Sequence, residues 1–95
     1  MLHLVFESSP EPIVLERIDK GDDVVFIGMS VQRLISQAFK EKIRGLSKEI
    51  KWYALQDALL IHGIQPSEFP DNIEVIGYLD LIRLTTVNEV IHSWS

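Results

Sequence analysis

The stretch "VVFIGMSVQRLI", Val24 to Ile35, decides the fold. Its first four residues are all apolar, as in a strand buried on both faces. Beyond Gly28, Met29 and Ser30, apolar residues return every three or four positions. Val31, Leu34, Ile35, Ala38, Phe39 and Ile43 share one helix face, with Gln32, Arg33, Gln37, Lys40 and Glu41 opposite. A strand running straight into a helix is half of a βαβ unit. The pattern predicts a strand over 23–28 and one helix over 30–44, with Ser30 at its start. Gly45 followed by Leu46 fits a left-handed helix cap.

Outward from this stretch the alternation repeats. Leu2 to Phe6 reads as a central strand, apolar on both faces apart from His3. Ser9 and Pro10 fit a helix start, and Ile13, Val14, Leu15 and Ile18 follow before Gly21. Downstream come a strand over 50–55, a short helix over 57–62 ended by Gly63, and a loop, "QPSEFPDN". A strand over 73–76 leads to a helix from Tyr78 to about Val87, with Leu81, Ile82 and Thr85 inward. "EVIHSW" reads as a short edge strand. The expected architecture is α/β: a single three-layer domain over 1–95, with a mostly parallel sheet of four to five strands and helices on both faces.

Bulk composition removes several function classes. The chain has 95 residues, enough for one domain, and is 46% hydrophobic with a net charge of −5. Its nine basic residues are scattered, which argues against direct nucleic-acid contact. It has no cysteine, so disulfides, cysteine–zinc sites and thiol chemistry are excluded on this chain. "MLHLVFESSP" is too short and uncharged for a signal peptide, and no apolar run approaches ~18 residues. The expectation is a cytoplasmic protein with no membrane partner.

No catalytic constellation is complete. Gly28-Met29-Ser30 supplies half of the G-x-S-x-G elbow, but Gln32 stands where the second glycine belongs. Ser30 reads better as a helix cap than as a nucleophile. No phosphate-loop motif occurs. His3, His62 and His92 lack metal-ligand spacing, and no cofactor is expected. Asp22 and Asp23 are adjacent at a strand start, so they point to opposite faces and read as solvated charges. The C-terminal edge of such a sheet is where ligands bind, which makes Ser9, Met29, Ser30 and Asp57 ligand-edge candidates. Phe69, Ile91 and Trp94 are interface candidates, because a near-terminal Trp beside Val90 and Ile91 has to be covered by something. Whether its own domain or a partner covers it stays open.

The order of these segments resembles the DsrH/TusB family, small sulfur-relay subunits with a DsrE-like fold. "MLHLV" followed by "SP", then "GDDVVFI", resemble the family's opening and second strand. "KWYALQDALLIHGI" resembles its third strand and the segment carrying Tyr53, Leu55, Leu59 and Gly63. "VIGYLDLIRLTT" and "SW" resemble its fourth strand, aromatic-led helix and terminal Trp. The resemblance implies a hetero-oligomer with two sister chains of the same fold, one of which carries the reactive cysteine. In many bacteria that assembly passes persulfide sulfur toward 2-thiolation of the tRNA wobble uridine, and in sulfur oxidisers it serves dissimilatory metabolism. Three departures are visible. Ile18 stands nearest the position of a first-helix cysteine, Met29-Ser30 replaces an Asp-Gly, and Asp57 is displaced by one, with Ala58 in the usual acidic place. The implied role is therefore a non-catalytic subunit. The alternatives are a ligand-binding or hydrolytic domain using Ser30 with His62 or His3 as base, and a homo-oligomer that has lost the relay role.

Overall fold

The computed structural model describes residues 1–6, 17–46, 48–69 and 72–94. The helix expected after Ser9, including Ser9 itself, falls almost wholly outside the described residues. Among the described residues five strands form one sheet: β1 (Leu2–Val5), β2 (Asp23–Phe26), β3 (Lys51–Leu55), β4 (Ile73–Ile76) and β5 (Ile91–Trp94), in the order β4-β3-β2-β1-β5. Every pairing is parallel, with Leu2 opposite both Asp23 and Ile91, and Trp52 opposite Val24 and Ile73. β1 is interior and "EVIHSW" supplies an edge strand, as the sequence predicts. Among the described residues the α-helices are α1 (Gln37–Arg44), α2 (Gln56–His62) and α3 (Tyr78–Val87).

The decisive stretch is not one helix. Gly28–Ile35 winds as a 3-10 segment, Ser36 is extended at φ −71° and ψ 133°, and only then does α1 begin. The residue spacing explains the break. Val31 and Leu34, both fully buried, are three apart, the repeat of a 3-10 turn; Phe39 and Ile43 are four apart, suited to an α-helix. Between them the Ser36 hydroxyl accepts from the Phe39 N–H at 3.5 Å. A serine that can bond its neighbours' backbone competes with a continuous ladder, and here it caps a new helix instead. At the far end Gly45 is right-handed, φ −81°, and not the left-handed cap expected; the Leu46 N–H bonds to Ile43 C=O at 3.1 Å and tightens the end. Gly63 does adopt the left-handed conformation, φ 65°, after α2.

Strand alternation sends Val24, Phe26, Trp52 and Ala54 to one face and Val25 and Tyr53 to the other. The connections from β2 to β3 and from β3 to β4 step across the sheet in one direction. The β4-to-β5 connection steps back past all the other strands. With right-handed crossovers these two directions put their helices on opposite faces. The 3-10 segment, α1 and α2 accordingly pack on the first face, around a cluster in which Phe26, Phe39 and Trp52 meet with ring centroids 5.5 to 6.3 Å apart. On the second face the described cover is α3 alone. It lays Leu81 and Leu84 on Leu2, Val25, Tyr53 and Ile76. Ile82, expected inward, is 57% exposed, and no residue of α3 is fully buried.

Candidate functional site

Two ends of the sheet bring polar groups together. At the C-terminal edge, β3 feeds α2 onto one face while β4 feeds α3 onto the other. The crevice between the ends of β3 and β4 is therefore the switch point at which ligands bind in open α/β sheets. Asp57 lies here, exposed in the first turn of α2. Gly77 and Tyr78 begin α3 after the end of β4.

Ser30 belongs to the same edge but presents nothing to it. It is 1% exposed and is the third residue of the 3-10 segment, not a cap outside a helix. Its hydroxyl accepts from the Ile27 N–H at 3.0 Å and shares its proton between the carbonyls of Val5 and Ile27, each at 2.7 Å. All these partners are backbone. The side chain clamps the end of β1 to the turn after β2, which leaves the hydroxyl no proton acceptor of the kind a nucleophile needs. Met29, expected beside it, has its backbone in the same segment.

At the opposite end lies a network that sequence reasoning missed. His3 is 1% exposed. Its Nδ1 accepts the Trp94 indole N–H at 3.1 Å, and its Nε2 meets Asp22 Oδ2 at 2.8 Å. An indole nitrogen only donates, so Nδ1 carries no proton; the ring is the neutral Nε2–H tautomer and donates to Asp22. Asp22 also accepts from the Asp19 N–H at 3.0 Å and from the amino terminus at 3.1 Å. Burial pushes its carboxyl up, but the hydrogen bonds from Asp19, His3 and the amino terminus outweigh burial and hold it below the usual carboxylate value. Asp22 is therefore not the solvated charge expected. The available signals were a histidine inside an otherwise apolar strand and an acid at the start of the next. Nothing in the sequence gives the register that joins them.

Asp23 does point the other way, but it too is engaged. It accepts from Asn88 Nδ2 at 3.1 Å and, at a long 3.5 Å, from the Tyr53 hydroxyl. Burial, then the charges of Asp23 and Glu74, push the Tyr53 phenol up to about 12. Asn88 also donates to Leu84 C=O at 2.8 Å, so this group ties the end of α3 to the sheet.

The interface candidates separate. Phe69 is 7% exposed inside its own first-face core, so it is a core residue in this chain and not a surface group. Its loop folds inward because the turn Pro66–Glu68 ends with the Phe69 N–H bonded to Pro66 C=O, at 3.2 Å. Trp94 is half-buried against that same core and lies over His92 at 4.1 Å between centroids. Ile91 is 44% exposed on the edge strand. Among the described residues no group of three His, Asp or Glu is placed to hold a metal ion. Among them, too, no helix is long and apolar enough to cross a membrane.

Comparison with known proteins adds two findings. A family model described as "DsrH like protein" matches residues 5–90. A solved structure of a protein of unknown function from Methanobacterium thermoautotrophicum superposes with a TM-score of 0.71 at 14% identity, covering 97% of this chain and 96% of that one. At that identity the likeness speaks for the fold alone. No curated protein matches the chain.

Proposed function

The chain belongs to the DsrH family, whose members are subunits of sulfur-relay assemblies, and from that premise we propose that it is the non-catalytic subunit of such an assembly in the cytoplasm. Its partners are sister chains of the same fold that carry the reactive cysteine. The sulfur they pass serves 2-thiolation of the wobble uridine of tRNA.

The observation that carries this reading is the combination of a family match running nearly end to end with a sequence that has no cysteine. Persulfide transfer proceeds by thiolate attack on sulfur. A chain without a thiol contributes by packing against the chain that has one. The commitment of the Ser30 hydroxyl to backbone groups supports the same reading, because it leaves the hydrolytic alternative without an available nucleophile. Asp57 and the exposed start of α3, at the switch point, are the groups this chain offers to wall a sister chain's site. Ile91 on the edge strand and half-buried Trp94 are its contact residues.

The test is mild purification from the native host, followed by alkylation tagging of persulfides and mass analysis of every co-purifying chain. The expected result is a tag on a partner of similar size and none on this chain. Recovery without any cysteine-bearing companion, or sulfur transfer by the isolated chain, would overturn the proposal.

A further inference from the structure

We propose that His3 is a proton-operated latch: its neutral ring holds the Trp94 indole against the sheet, and a second ring proton releases it. The inference concerns bonds within this chain and does not rest on the relay reading.

The latch joins three elements. His3 lies on β1, Asp22 just before β2, and Trp94 ends β5. The His3 residue is 1% exposed, and both ring nitrogens are engaged. Nε2 donates to Asp22 at 2.8 Å and Nδ1 accepts from the Trp94 indole at 3.1 Å. These two bonds respond differently to a proton. A carboxylate accepts from the Nε2–H whether the ring is neutral or charged. Asp22, held below the usual carboxylate value, offers one across the range in which histidines ordinarily titrate. The Asp22 side of the ring therefore stays in place. A proton arriving from solvent binds Nδ1, the ring nitrogen with a lone pair. An N–H then points at the N–H of the indole, and neither can accept. The Trp94 bond and the second proton exclude each other.

The surroundings decide what moves. The backbone of β5 is bracketed by bonds from the Leu2 N–H to Val90 C=O at 3.0 Å and from the Phe6 N–H to Trp94 C=O at 2.9 Å. Neither bond involves a group that titrates. β5 is an edge strand, and Trp94 is only half-buried. The indole turns outward while the ladder stays, and it uncovers the part of the first-face core on which it packs.

Among the described residues, the charged and titratable groups near the ring are Asp22, the amino terminus and His92. Val24, opposite His3 on β2, is apolar. The amino terminus meets the other oxygen of Asp22, at 3.1 Å, and so lies behind the carboxylate. His92, opposite His3 on β5, is exposed, with its ring centroid 6.4 Å from that of His3 and 4.1 Å from that of Trp94. A cation against an indole ring is attracted to it. A proton on His92 therefore holds Trp94 in, and a proton on His3 lets it out. The two histidines act in opposite senses and are told apart by substitution.

Proton–nitrogen NMR on the full chain, followed from about pH 8 to 5, tests this. At the upper end His3 should be the Nε2–H tautomer. As His3 takes up its second proton, the Trp94 indole N–H resonance should shift with the same midpoint, while that of Trp52 stays. His92→Gln should keep the coupled step. His3→Gln, which can donate and accept without titrating, should lose it. Coupling is reciprocal, so Trp94→Phe should let His3 take its proton at a higher pH than in the wild type. A Trp94 resonance that ignores His3, an Nδ1–H tautomer, or a His3 that stays neutral until the chain unfolds would each overturn the proposal. So would a step that survives His3→Gln or needs His92, or a His3 midpoint that Trp94→Phe leaves unchanged or lowers.

Discussion

The two faces of the sheet are built from the same strands and end in opposite conditions. The first is covered, among the described residues, by a 3-10 segment and two helices and centred on three packed aromatic rings. The second has one described helix over it, with its outer side still apolar. The difference comes from chain direction: the three connections from β1 to β4 step one way across the sheet and the connection from β4 to β5 steps back, so right-handed crossovers divide the helices unequally. A face closed by its own chain carries the stability.

Deletions should separate the two faces most strongly. Trp52→Ala removes the ring that packs on both Phe26 and Phe39 and should cost about 3–5 kcal/mol in urea unfolding. Leu81→Ala, on the half-closed face, should cost about 2 kcal/mol or less, because its site is already partly solvated. Equal losses would break the comparison.

The Asp22 network should give the next effect. Asp22→Asn removes a charged acceptor from His3, Asp19 and the amino terminus and should cost about 1–3 kcal/mol. Because the folded carboxyl is held below its ordinary 3.8, its contribution is fully present above that value and is lost as pH falls through the folded value. Wild type should therefore lose stability on acidification below about 3.8 more steeply than Asp22→Asn does. Parallel pH profiles would show that the network is not holding the carboxylate.

Ser30→Ala should cost about 0.5–1.5 kcal/mol through loss of the hydroxyl's own hydrogen bonds, the Ile27 N–H and the Val5 carbonyl keeping their bond to each other at 3.0 Å. Ser36→Ala, which removes only a long cap bond, should cost about 1 kcal/mol. The smallest effect expected is on the outer face. Ile82→Glu should change the stability of the isolated chain by no more than ~0.5 kcal/mol. A larger loss would mean that the side chain is already packed inside its own domain.

What could be read in advance follows the same division. Strand order of appearance, the β5 edge and the parallel sheet were legible because apolar runs of four to five residues separated by helical spacing allow little else. The break at Ser36 was not, because three-residue and four-residue repeats look alike over two turns and only the hydroxyl's choice of partner separates them. Ile82 reads as inward from sequence because the apolar residues of "YLDLIRLTTV" look equally suited to a core. Only the observed contacts show that Leu81 and Leu84 face the sheet. The His3–Asp22–Trp94 network joins residues from the two ends of the chain, and no local pattern carries that register. Phe69 is hard to place for a related reason: a loop aromatic between two prolines gives no sign of which way it folds.

Native mass spectrometry of the chain, recovered mildly from its own host, tests the central claim most directly. The account predicts an assembly in which this chain is joined by cysteine-bearing chains near its own 10.9 kDa. Recovery of the chain alone, or only with itself, would contradict the relay assignment.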